Sequence, residues 1–264
     1  MQSSNLETLY VTDSDTPKPP TNTEVPRLYG HLLCPFVEKV RMALAARAVK
    51  YQTCQIDLGK KTPWHIGYNG GFVPFWETVK GDIIIESKIV MDFIEDSYPD
   101  QGYSFLPADP VLRAQNRLGY SLIEALNGAW YPLYFKKAYD EAGFKLLIEK
   151  LQKIEDFIAA NNKNPEKSSF AQGTDNPTQL DAHIYVHAVR IYMTKGSVWN
   201  DAFYENVKFE NFPRILKLLE AIHARPEFQG DVLAKPKPYH ELLARSSAIT
   251  DGSKVQLYLP ISNE

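Results

Sequence analysis

The feature that most limits how this chain can fold is a change of rhythm at Leu106-Pro107-Ala108-Asp109-Pro110. Before that turn-rich stretch, short apolar runs alternate with helix-period segments. Arg27-Leu28-Tyr29 reads as a strand, and Pro35 to Arg47 as a helix with Phe36, Val37, Val40 and Leu44 on one side. Tyr51 to Leu58 reads as a second strand, parallel to the first because a helix connects them. Lys60 to Tyr68 suggests a short helix. Val73 to Thr78 and Asp82 to Ile85 read as a hairpin across Lys80-Gly81. Ser87 to Tyr98 closes the unit as a helix with Ile89, Val90, Phe93 and Ile94 facing inward. After the turn-rich stretch, strand signals nearly vanish and helical patterns cover Val111 to Leu126, Tyr139 to Asn161, Thr178 to Thr194 and Pro213 to Ala224.

The first half therefore describes a small mixed sheet with helices on both faces, a thioredoxin-like arrangement over residues 25–107. The second half, residues 108–264, is an all-helical domain with a C-terminal extension from Ile249 to Glu264. Its clearest local signal is Thr178-Gln179-Leu180-Asp181 ahead of an amphipathic run. This is a capping-box pattern with Asp in place of the usual Glu or Gln. Residues 1–24 read as a disordered tail, because Thr12 to Thr23 sets three prolines among Ser, Thr, Asp and Asn and offers little apolar surface to offset ordering.

At 264 residues the chain accommodates two modest domains. The net charge is −3, and residues 1–24 hold one Lys against Glu7, Asp13, Asp15 and Glu24, which leaves the body close to neutral. A near-neutral body without a basic stripe argues against a nucleic-acid partner. No apolar stretch approaches the roughly 20 residues that span a bilayer, and the N-terminus does not read as a secretory signal. Two cysteines, Cys34 and Cys54, do not make a disulfide framework, so reduced thiols and a cytoplasmic location are expected.

Cys34 falls where the first strand's loop meets the first helix, since Pro35 suits the first helical position. Unsatisfied amides and the positive end of the helix dipole favour a thiolate there, so Cys34 is expected to be nucleophilic. Cys54, inside a predicted strand, reads as a small buried hydrophobe. Position 37 is Val, so no second cysteine two residues beyond the first can resolve an oxidised intermediate. Such a monothiol site needs an external thiol, for which glutathione is the natural candidate. His183 and His187, four positions apart on one predicted helix, could hold a metal, but nothing nearby completes a zinc set, and no metal is expected.

Four segments together resemble the glutathione transferase fold: Leu28-Tyr29-Gly30-His31-Leu32-Leu33-Cys34-Pro35-Phe36, Lys60-Lys61-Thr62-Pro63-Trp64, Phe72-Val73-Pro74 and Ile85-Glu86-Ser87. Cysteine followed by Pro-Phe is similar to the omega class. The resemblance implies that Cys34 forms a mixed disulfide with glutathione and that Phe36 and Lys61 line the glutathione site. It implies that Val73, before a cis proline, pairs its backbone with the cysteinyl unit, and that Glu86 and Ser87 grip the γ-glutamyl end. Family geometry places Leu33, Tyr131 and Arg190 toward a substrate cleft, with Trp130, Tyr134 and Phe135 mostly core. The implied activities are deglutathionylation and dehydroascorbate reduction, on small molecules or glutathionylated proteins, by a homodimer without stable membrane association. Asn69-Gly70-Gly71-Phe72 departs from the family pattern, being one residue shorter, and borders the ligand.

Two other functions compete. In a transferase that conjugates glutathione directly, Cys34 would be incidental and a residue such as Tyr29 would activate the thiol, although Tyr29 reads as structural. A non-enzymatic relative resembling the chloride intracellular channel proteins shares the Cys-Pro-Phe motif, but Glu38, Lys39, Arg41 and Arg47 make membrane insertion of the first helix costly.

Overall fold

The computed structural model describes residues 6–136 and 140–247, with side chains for 6–133 and 140–241. The expected extension from Ile249 to Glu264 and the side chains of Tyr134 and Phe135 lie outside these. The chain forms two compact units. One comprises the residues up to Tyr103 together with Gly230–Leu242, and the other is built on Ser104–Gln229.

The first unit holds strands β1 (Leu9–Val11), β2 (Arg27–Gly30), β3 (Gln52–Ile56), β4 (Phe75–Glu77) and β5 (Ile83–Ile85), with helices α1 (Pro35–Ala46), α2 (Pro63–Asn69) and α3 (Ser87–Ser97). The sheet runs β1-β3-β2-β4-β5. β1 and β2 are each parallel to β3, while β4 is antiparallel to β2 and to β5. This confirms the thioredoxin-like reading. Val11, Tyr29, Cys54, Ile56 and Phe75 form a buried cluster on one sheet face, with Trp64 of α2 packed against it. Tyr29 stacks on Phe75 with ring centroids 4.3 Å apart. Leu28 and Trp76, opposite one another in register and a residue out of phase with that cluster, turn to the other face. On α3, Val90, Met91 and Ile94 are buried, but Ile89 is 56% exposed, which corrects its expected inward direction.

The disordered tail expected over residues 1–24 is corrected for the described part. Leu9–Val11 adds an edge strand, with Leu9 opposite Cys54 and Val11 opposite Ile56. The remainder crosses toward β4 on polar bonds. Gln52 Nε2 donates to the Glu7 carbonyl (3.2 Å), Trp64 Nε1 to that of Thr16 (2.9 Å) and Arg27 Nη2 to that of Pro20 (2.9 Å). Lys18 and the Thr21 hydroxyl both reach Glu77 Oε1, the hydroxyl at 2.9 Å. Order comes from partners on β2, β3, β4 and α2, which local composition cannot register.

The second unit contains α4 (Pro110–Lys136), α5 (Glu141–Asn161), α6 (Gln179–Tyr192), a π turn at Asn200–Tyr204 leading into α7 (Glu205–Val207), and α8 (Pro213–His223). A further helix, α9 (Pro236–Ser247), begins in the first unit. The capping box forms as read. Asp181 Oδ2 accepts from the Thr178 amide and hydroxyl, both at 2.7 Å, and Oδ1 takes the Ala171 amide at 2.7 Å. Asn116 Nδ2 donates to Thr178 Oγ1 (3.0 Å), which ties α4 to the same cap. Glu155 on α5 caps α8, accepting from the amides of Arg214 (2.9 Å) and Ile215 (3.0 Å).

Candidate functional site

Strand register gathers the candidate residues at one end of the first unit's sheet. Tyr29 lies opposite Phe75, and Phe75 opposite Ile85. Continuing past Tyr29 along β2 leads to the turn carrying Cys34. Moving back from Phe75 reaches Val73, and moving on from Ile85 reaches Glu86 and Ser87. β3 runs parallel to β2, so Lys61 and the start of α2 leave from the same end. Helices α1 and α3, which follow β2 and β5, therefore have their N-termini at this end.

Cys34 is the N-cap of α1, with an extended backbone (φ −72°, ψ 123°) and no capping bond from its side chain. Its amide donates to the His31 carbonyl (3.0 Å), and its carbonyl takes the Glu38 amide (2.9 Å). The Leu33 amide donates to His31 Nδ1 (3.2 Å), closing the turn. Gly30 is required because a Cβ there would lie 2.5 Å from Val37 Cγ1. Cys34 keeps 8% exposure and is in no disulfide. Leu33 is buried, and Phe36 is half-buried with Lys39 Nζ 5.2 Å from its ring centroid.

The Val73-Pro74 peptide is cis. Glu86 is exposed and adopts φ 69°, ψ 117°, a region costing a non-glycine residue about 1–3 kcal/mol and found where a fold holds ligand-binding groups. Ser87, buried, starts α3. The short Asn69–Phe72 link turns on two left-handed glycines, Gly70 (φ 59°) and Gly71 (φ 76°). Its Phe72 carbonyl accepts from His65 Nε2 (2.7 Å), and burial pushes the His65 ring below its ordinary pKa. Lys61 Nζ stands 5.2 Å from the Phe72 ring centroid. Gly71 lets that side chain pass, since a Cβ would sit 2.5 Å from Lys61 Cδ.

Tyr29 has a different occupation. It is fully buried, its hydroxyl donates to Glu77 Oε2 (2.9 Å) and accepts from Arg27 Nη1 (2.8 Å), and burial raises its pKa.

In the second unit, Tyr131 is 44% exposed on α4. Arg190 is 1% exposed, and its Nη1 donates to the Val186 carbonyl within α6, which corrects the expected open cleft position. His183 and His187 are buried with ring centroids 5.4 Å apart. His183 meets the Tyr120 ring edge-on, and Trp130 Nε1 donates to His187 Nδ1 (3.3 Å). Among the described residues no cluster of three or more His, Cys, Asp or Glu could hold a metal, and no helix is long and apolar enough to cross a membrane.

Residues 28–102 match the family model for the glutathione S-transferase N-terminal domain. Glutathione S-transferase omega-1 of Sus scrofa is 32% identical over 36% of this chain and 39% of its own length, and that of Rattus norvegicus is 27% identical over 50% and 56%. The chain thus spans about half or less of these relatives. The probable glutathione transferase omega-2 of Caenorhabditis elegans is 24% identical over 89% of this chain and 90% of its own. In sequence over residues 28–102, and in fold over most of its length, the chain is similar to omega-class glutathione transferases. The crystal structure of glutathione transferase Omega 1C from Trametes versicolor superposes with a TM-score of 0.70, at 20% identity over 86% of this chain and 98% of that one. The sheet end that gathers Cys34, Val73, Glu86 and Ser87 falls within the matched 28–102 segment.

Sequence reasoning missed the surroundings of α1. Glu38, Lys39 and Arg41 are buried, with Ala234 bonded to Glu38 and Val232 to Arg41. Their spacing after Cys34 offered no signal, because charges on a predicted helix read as a solvated face.

Proposed function

We propose that this protein is a glutathione-dependent thiol transferase in which Cys34 is the reacting thiol. The observation that carries the reading is the convergence, at one sheet end, of a cysteine N-cap, the Val73 main chain ahead of β4 and the Glu86-Ser87 start of α3. In this reading the Val73 backbone pairs with the cysteinyl unit of glutathione, as an added strand would. The Glu86 carboxylate binds the γ-glutamyl ammonium, and the Ser87 hydroxyl with the first amides of α3 takes its carboxylate. Phe36 and Lys61 flank the tripeptide.

The Cys34 thiolate attacks the glutathione sulfur of a mixed disulfide, forming the Cys34–glutathione disulfide and releasing the substrate thiolate, which takes a proton. A second glutathione thiolate attacks the glutathione sulfur of that adduct, releasing oxidised glutathione and restoring Cys34. Dehydroascorbate, which accepts two electrons and two protons, belongs to the same class of oxidised substrate. A cytoplasmic homodimer is the proposed working form.

Direct conjugation through Tyr29 is disfavoured, since its hydroxyl is committed to Glu77 and Arg27. Membrane insertion of α1 would strip Glu38, Arg41 and Arg47 of their bonds.

Intact-mass measurement after exposure to oxidised glutathione tests the proposal. One glutathione adduct is expected, located at Cys34 and lost in Cys34→Ser together with thiol-transfer activity. An adduct on Cys54, or a Cys34→Ser protein that keeps full activity, would refute it.

A further inference from the structure

Gly230–Leu242 lies far from Cys34 in sequence yet belongs to the same unit. Two residues of α1, Glu38 and Arg41, link it to the cysteine turn. Glu38 is fully buried; its amide donates to the Cys34 carbonyl (2.9 Å) while its Oε1 accepts the Ala234 amide (2.8 Å). Arg41 is 3% exposed, and its Nη2 donates to the Leu32 carbonyl (2.7 Å) while Nε reaches the Val232 carbonyl (3.3 Å). These residues stand four and seven positions after Cys34, on one face of the helix. Leu233 and Ala234 are buried.

Burying a carboxylate and a guanidinium costs several kcal/mol per ion unless their bonds are specific, and simple packing of a helix on a loop is served as well by apolar groups. Here the Arg41 guanidinium bonds both the Leu32 carbonyl and the distal segment, while the Glu38 carboxylate bonds the distal segment and the Glu38 main chain makes the first helical bond to Cys34. We infer that Glu38 and Arg41 are positioning residues for Cys34, and that Val232–Ala234 is the template against which they hold it. The inference rests on the reading of Cys34 as the reacting thiol, and it assigns residues 232–234 a part in setting that thiol's place at the helix start.

The test uses the full chain and a small haloacetamide, without glutathione, so that its outcome is separate from that of the transferase reading. The rate of Cys34 alkylation, read by peptide mass across a pH series, is compared for wild type, Glu38→Ala and Glu38→Gln. Glu38→Ala should slow alkylation about tenfold at neutral pH and move the pH midpoint upward, as the thiol leaves the helix start. Glu38→Gln keeps an oxygen acceptor for the Ala234 amide and should stay within about twofold of wild type. A Glu38→Ala protein with a cooperative thermal transition but wild-type rate and pH profile would overturn the inference. If that variant does not fold, hydrogen exchange on the wild-type chain decides. Alkylating Cys34 should change exchange at the Ala234 amide, and an unaffected Ala234 counts against the inference.

Discussion

Two cysteines sit within the first unit, one inside its sheet and one at a helix start, and their surroundings differ. Cys54 is in the middle of β3, between Leu9 and Tyr29 in register, with no exposure. Burial, with a smaller push from the Glu77 charge and a pull from Arg27, drives its thiol up to about 12. Cys34 stands one strand away at the N-cap of α1, where the helix dipole favours an anion and a sliver of surface stays open. A cysteine's place on the backbone, more than its sequence neighbours, separates the proposed reacting thiol from the packing residue.

The contrast breaks most readily at Glu77. This buried carboxylate receives Lys18, Thr21, Arg27 and Tyr29, next to the cluster containing Cys54. Glu77→Ala strands the buried Arg27 guanidinium and should cost about 3 kcal/mol in a denaturant titration. Native-state labelling of Cys54 should then rise by about a hundredfold, since 1.4 kcal/mol is a factor of ten. Labelling of Cys34 should change far less. A smaller effect is expected of Cys54→Ala, roughly 1 kcal/mol for a lost sulfur in a closed core, with the glutathione adduct at Cys34 intact. A lost adduct would show that the two thiols are not independent.

Acid gives the mildest test. Burial raises the Glu77 carboxyl, but the bonds from Lys18, Thr21 and Tyr29 and the Lys18 charge outweigh it and hold the group below the ordinary carboxylate range. A depressed carboxyl contributes stability above its unfolded pKa of about 4.3 and loses it as pH falls through the folded value. Hydrogen exchange over residues 9–21 should therefore quicken below about pH 4, before exchange in α1 does.

Much of this was legible in sequence where the causes are local. Cys34-Pro35 marks a helix start, Lys80-Gly81 a hairpin, and Thr178 with Asp181 a cap, and each forms where expected. The misses share one physical origin, which is distance along the chain. Residues 9–24 are ordered by Gln52, Trp64 and Glu77, and α1's buried charges are satisfied by Val232 and Ala234. Neither composition nor periodicity encodes a partner that far away. Arg190 was misplaced for a related reason, because helical phase gives a side chain's direction but not what covers it.

The same separation has a consequence for synthesis. Arg41 and Val232 are 191 positions apart. At roughly 5–20 residues per second, about 10–40 s pass between the emergence of the cysteine helix and that of its distal template. Through that interval the nascent first unit presents Glu38 and Arg41 on an uncovered helix face. The unit that holds Cys34, though begun first, is finished last.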